Sequence, residues 1–279
     1  MVDNPSKYLK GLVDAQFSRA KRFWTYVNAC RLIIFVINIA SIFSEVATPN
    51  LFAAISAVTG IFAVVFQFHS DRHKGLAESL LRQYEAYDGL GWPVSRKTVS
   101  DVLAELPRKL RENAMEPSIL VPYYSSHAPS SPKRTLENLE ESSWWTKHLS
   151  RNMANLVLLL ILAMLITSIA ALVVTLNTVE SRTVVNDLSS ALVSAVAFLF
   201  TGGLVRLWLD YQRLGQGAAR TEDMACQELA YHAELEVVQV FNVMHEYHII
   251  RASGPLIPDW IFYRSKPALD AMWKALRTR

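Results

Sequence analysis

Apolar and polar positions along this chain fall into long blocks rather than alternating singly. Residues 154–176 read ANLVLLLILAMLITSIAALVVTL, without one charge. A bilayer's hydrocarbon core is about 30 Å thick and needs roughly 20 residues at 1.5 Å each, so this block predicts a transmembrane helix. Three further apolar blocks predict spans over 26–46, 51–68 and 188–209. The turn Thr48-Pro49-Asn50 is short enough to force the first two spans into a hairpin, and the loop holding Glu180, Arg182 and Asp187 pairs the other two.

Between and around the spans the apolar residues return at helical spacing. Leu9, Leu12, Val13, Phe17 and Ala20 form one face of an amphipathic N-terminal helix leading into the bilayer. In the middle insert Leu76, Leu80, Leu81 and Tyr84 form another such face, and Val99, Leu103, Leu106 and Leu110 a third. Gly89, Gly91 and Pro93 break the insert once, and Thr135 with Glu137 begins its last helix. Past Gly217 one long helix is expected to about residue 250, with Cys226, Ala230, Ala233, Val237, Val240, Met244 and Tyr247 as a seam for a partner helix. A proline-turned tail, PLIPDWIFYRSKPALDAMWKAL, ends in a short helix. The expectation is an all-α membrane protein with four transmembrane helices in two hairpins and a helical cytoplasmic region built from the insert and the C-terminal helices. Its parts are 1–25 (amphipathic helix), 26–68 (first hairpin), 69–152 (insert), 153–209 (second hairpin) and 210–279 (C-terminal region).

Composition agrees with a mixed architecture: 51% of residues are hydrophobic and 19% charged. The net charge is only +3, so placement matters more than total. Lys and Arg number five before the first span, with Arg31 inside its first turns, none between the first two spans, twelve in the insert, one in the second outer loop and nine from Arg206 onward. The positive-inside rule then puts the insert and both termini in the cytoplasm. Cys30 and Cys226 are the only cysteines, too few for a disulfide framework or a metal knuckle.

In the first span Arg31, Asn38 and Glu45 fall seven apart with Ser41 on the same face. Either this stripe lines a pore, with Glu45 at the outer mouth favouring cations, or its charged ends reach the two interfaces while Asn38 bonds a neighbouring helix. Ser56 and Thr59 in the second span, and Ser190, Ser194 and Thr201 in the fourth, are candidate pore-lining positions, although small residues also serve close packing. The insert carries basic clusters, Arg96-Lys97, Arg108-Lys109 with Arg111, and Lys133-Arg134, with Tyr123 and Tyr124 between them. Cations for phosphates and flat rings for bases are what a nucleotide site needs; solvated surface charge is the alternative. His69 with His73 and His245 with His248 have helical metal spacing, but nothing completes either set, so neither metal nor cofactor is expected. No phosphate loop, dinucleotide fingerprint or nucleophile elbow points to an enzyme.

The layout, together with QYEAYDGLGWP after the second span, LENLEESSWWTKHLSRNM before the third and PLIPDWIFYRSKPALDAMW near the end, resembles the SMODS-associated four-transmembrane effectors. The resemblance implies a pore-forming effector of bacterial antiphage defence in the inner membrane. Its control would be a cyclic nucleotide or single-stranded oligonucleotide made by a nucleotidyltransferase encoded nearby. Opening would depolarise the membrane and arrest growth or kill the cell. Four thin helices leave no water path within one protomer, so a homo-oligomer, a tetramer by guess, is expected. A non-conducting scaffold and a small transporter are the alternatives.

Overall fold

A computed structural model describes residues 6–42, 49–114, 124–178, 182–201, 203–231 and 235–277. They form nine helices and, among the described residues, no strand: α1 Ser6–Ile42, α2 Pro49–Leu90, α3 Arg96–Glu105, α4 Arg108–Ala114, α5 Pro132–Thr178, α6 Arg182–Thr201, α7 Leu204–Tyr231, α8 Val237–Ser253 and α9 Asp259–Arg277. Four stretches are long and apolar enough to cross a membrane, in α1, α2, α5 and the α6–α7 pair. The chain is an all-α, multi-pass membrane protein.

It divides into two compact units. A polar unit gathers Met1–Lys21, Ser70–Ser150 and Arg213–Arg279; an apolar unit gathers Arg22–His69 and Arg151–Gln212. Helix α5 has 47 residues, which at 1.5 Å each is about 70 Å, roughly twice what a bilayer core requires. Helices α1 and α2 are likewise unbroken where separate span and polar helices were expected: no glycine or proline stands at the join in α1, and α2 runs on through Gly75.

In the apolar unit the large side chains point outward. Ile61, Val64, Phe68, Leu159, Ile166 and Val193 are each 64–71% exposed, an arrangement that water would oppose and lipid favours. The expected fourth span over 188–209 is not one helix. Gly203, at φ 80°, separates α6 from α7. A Cβ there would meet open space, so the left-handed backbone rather than crowding calls for glycine.

In the polar unit the side chains turn inward. Leu9, Leu12 and Val13 of α1 pack on Leu80 and Leu81 of α2, Val99, Val102 and Leu103 of α3 and Leu106. The apolar face of the N-terminal helix is therefore consumed by the insert, not by lipid. Gly89 lets the start of α5 come close, since a Cβ would lie 2.5 Å from Thr135 Oγ1.

The single long C-terminal helix expected past Gly217 is two, α7 and α8, with Leu235 and Glu236 between them outside any helix and 232–234 outside the described residues. Its seam is spent within the chain. Val240, Met244 and Tyr247 are fully enclosed by Leu136 and Leu139 of α5 and Ala225 of α7, whereas Cys226, Ala230 and Val237 are exposed and Ala233 lies outside the described residues. The final helix is also longer than expected, because α9 runs through Pro267. Pro267 is exposed and so is Tyr263, four residues before it, whose carbonyl the ring deprives of its helical partner. Truncating Leu12, which has no exposed surface, to Ala should cost about 2–5 kcal/mol and lower the melting temperature in detergent. An unchanged melting temperature would contradict this packing.

Candidate functional site

The interior of the polar unit is built around one guanidinium. Arg251 on α8 donates through Nη2 and Nε to Glu78 Oε2 at 2.7 and 3.1 Å and through Nη1 to Glu85 Oε1 at 3.0 Å. Seven residues apart on α2, the two carboxylates share a face and meet the arginine together. Tyr124 donates to Glu85 Oε1 at 3.0 Å, and His248 Nε2 lies 2.5 Å from Glu85 Oε2. Burial alone would raise the Glu85 pKa, but the Arg251 charge and the His248 and Tyr124 hydrogen bonds overcome it and hold the carboxyl below its ordinary range. An ionised carboxylate only accepts, so His248 donates through Nε2. Burial likewise opposes the charge on Arg251, and Glu78 and Glu85 overcome it and raise its pKa.

Beside Arg251, Tyr247 ties α8 to α5. Its hydroxyl donates to the Ser142 carbonyl at 2.9 Å and lies 2.8 Å from both Ser142 Oγ and Thr146 Oγ1. One proton given and two accepted satisfy that phenol completely.

Glu78, Tyr124, Ser142, Thr146, Tyr247 and Arg251 form one wall of a cavity of about 790 Å³, within the usual 300–1,000 Å³ of small-molecule sites. Helix α1 adds Lys10, Asp14 and Lys21, α2 adds Lys74, and α9 adds Phe262, Tyr263 and Lys266. Acids and bases are balanced, and several are paired. Lys21 bonds Asp259, and Lys74 donates to the carbonyls of Ala252, at 2.7 Å, and Gly254. Burial pulls the Lys74 pKa down, partly offset by Glu78 and Asp71, so an anion entering here would meet a lysine whose charge it would stabilise. The Trp145 and Phe262 rings stand 5.8 Å apart, and Lys266 Nζ lies 5.6 Å from the Phe262 centroid. Flat rings beside a cation suit a ligand with a planar base and phosphate.

The basic clusters singled out in the sequence are not what lines this cavity, apart from their neighbour Tyr124. Arg134 is committed to the fold, bonding both oxygens of Asp88 at 2.8 and 3.1 Å and the Ala128 carbonyl. Three of its five N–H groups are thereby engaged within the fold. Tyr124 is buried, with its hydroxyl on Glu85, and is the one member of these clusters on the cavity wall. Arg108 pairs with Glu112 at 2.8 Å, Arg111 donates to the Leu106 carbonyl at 3.1 Å, and Arg96, Lys97, Lys109 and Lys133 are exposed. Tyr123 lies outside the described residues. The cationic and aromatic residues on its wall come from five helices far apart in sequence, α1, α2, α5, α8 and α9, so no local pattern could have grouped them.

In the apolar unit a second cavity, about 300 Å³, joins two of the predicted faces: Arg31, Ile34, Phe35 and Asn38 of α1 with Ser194, Ala197 and Phe198 of α6. Stacking of Phe35 on Phe198, centroids 4.5 Å apart, fixes the helices against each other. Asn38 Oδ1 also accepts a long 3.4 Å bond from Ser56 of α2. Ser41 and Thr59 instead donate to carbonyls of their own helices, Asn38 and Ile55, at 2.8 Å. Ser190 is exposed; Glu45 and the Thr201 side chain lie outside the described residues.

The histidine pairs go separate ways. His69 stacks on Phe23, His73 Nδ1 is 2.8 Å from Gln16 Oε1, His245 stacks on Phe241 and His248 binds Glu85. Among the described residues no cluster of three metal-ligating side chains forms. No family model, curated protein or solved structure matches the chain.

Replacing Arg251 by Met strands two buried carboxylates and should cost about 3–5 kcal/mol, read as a lower melting temperature. The depressed Glu85 pKa contributes stability above the unfolded-state value, near 4.5, that is lost as pH falls through the lower folded value. Melting temperatures followed downward from neutral pH should drop more steeply in wild type than in Glu85→Gln across that acid range. Parallel curves would show that Glu85 is not the ionised partner.

Proposed function

We propose that this protein is an oligomeric ion channel of a bacterial inner membrane, a pore-forming antiphage effector whose opening is controlled by a nucleotide or short oligonucleotide bound in the polar unit. One observation carries this reading: three helices each supply both the ligand-sized cavity and the apolar spans. Helix α1 holds Lys10 and Lys21 and then Arg31 and Asn38; α2 holds Ser56 and Thr59 and then Lys74 and Glu78; α5 holds Ser142 and Trp145 and then the uncharged run. A ligand held between the polar ends of these helices acts on elements that continue through the spans. The resemblance to four-transmembrane effectors and the distribution of Lys and Arg support the same reading, with both termini cytoplasmic.

A ligand biases a channel only by its difference in affinity between closed and open states; a ratio of about one hundred, roughly 2.7 kcal/mol, moves a balanced equilibrium almost fully. The ligand seat is the large cavity rather than the basic clusters, with Trp145, Phe262 and Tyr263 for the base and Lys266 and Lys74 for phosphate. Several protomers surround the conducting path, each presenting Asn38 and Ser194.

Titration calorimetry of the purified protein with cyclic di- and trinucleotides should give a Kd that rises about tenfold or more in Trp145→Ala or Lys266→Ala and weakens steeply with salt. Lys109→Ala should leave binding unchanged. In cells expressing the protein with a nucleotidyltransferase, a potential-sensitive dye should report depolarisation; cells that keep their potential and growth would contradict the effector reading. Cysteines placed at Asn50 and Thr183 should react with an impermeant thiol reagent from outside, and protection of both would overturn the topology.

A further inference from the structure

Arg31 is the unexplained charge of the apolar unit. It lies five residues past Tyr26, about 7 Å along the helix, among Leu32, Ile33 and Val36, which are all about half exposed toward lipid. Among the described residues it makes no hydrogen bond and no ion pair, and no acid lines its cavity. A guanidinium in an apolar span persists only where it meets water, a headgroup or a counter-ion. Its cavity offers donors: five N–H groups on Arg31, the Asn38 amide, whose oxygen is turned to Ser56, and the Ser194 hydroxyl. Phe35, Phe198, Ile34 and Ala197 supply the rest of the lining with apolar surface, which strengthens a charge interaction beside it, while Arg31 and Asn38 stay exposed on the cavity's open side.

We propose that Arg31, Asn38 and Ser194 form a binding site for a small monovalent anion, and that Arg31 makes the pore select anions. This rests on the channel reading and deepens it by naming the ion class. A positive charge repeated around a ring of protomers excludes cations and concentrates anions, so Arg31 is the specificity-determining residue. It reverses the cation preference expected from Glu45.

Two measurements test the two halves. In neutral detergent without lipid, the 35Cl NMR line of a chloride solution should be broadened by the wild-type protein and by Arg31→Lys, and much less by Arg31→Gln; equal broadening by all three overturns the site. If added phosphatidylglycerol abolishes the broadening, the arginine holds a headgroup phosphate and the permeation claim is overturned. In planar bilayers under a potassium chloride gradient, the chloride-to-potassium permeability ratio should exceed one and fall about tenfold or more in Arg31→Glu. A cation-selective wild type that Arg31→Glu leaves unchanged contradicts the selectivity claim alone. Chloride bound at Arg31 in a protein that conducts nothing contradicts the channel and leaves the anion site standing.

Discussion

A buried guanidinium is tolerated only when carboxylates surround it, and the polar unit is arranged to meet that condition. Arg251 sits between Glu78 and Glu85 with each of its three nitrogens donating to a carboxylate, and each carboxylate is almost sealed from solvent. Such a cluster is weak as a source of net stability, because desolvating three charges offsets most of their attraction. Its effect is on placement. With Arg251 fixed by α2, Tyr247 four residues before it reaches Ser142 and Thr146 of α5, and His248 and Tyr124 close on Glu85. Helices α2, α5 and α8 thereby acquire one register, and the ligand-sized cavity is the space left beside it.

The two units solve opposite problems with the same helices. In the polar unit the faces carrying Leu9, Leu80 and Val240 are buried, and Glu78 and Glu85 are buried with them against Arg251. In the apolar unit Val64, Ile166 and Val193 face outward, while Asn38, Ser56 and Ser194 find one another or a common cavity. The change of solvent occurs within single helices. Two features break the pattern: Arg31, a charge in the apolar unit, and the glycine at φ 80° between α6 and α7.

What was legible in the sequence follows from range. The four spans, the helical faces of α1 to α3 and the polar stripe of the first span depend on residues three, four or seven apart, and periodicity displays them directly. Interrupted helices were harder: the chain between Tyr231 and Val237 carries an apolar pattern that reads straight through, and only packing of Val240 on Leu136 shows that α8 turns back on α5. The basic clusters stood out by adjacency, yet Arg134 is held by Asp88, 46 residues away, a partner that no local pattern names. Trp145 stands just before the third span with no local pattern to name its partner, and the structure sets it beside Phe262 on the cavity wall.

Ligand binding in one unit changing conduction through the other is the central claim, and sidedness tests it most directly. Purified protein inserted in one orientation into a planar bilayer is perfused with cyclic nucleotide on one face, then on the other, while single-channel open probability is recorded. The account predicts a change in open probability from one face only, that of the polar unit, reversible on washout. Discrete conductance that is indifferent to nucleotide from both faces would contradict it.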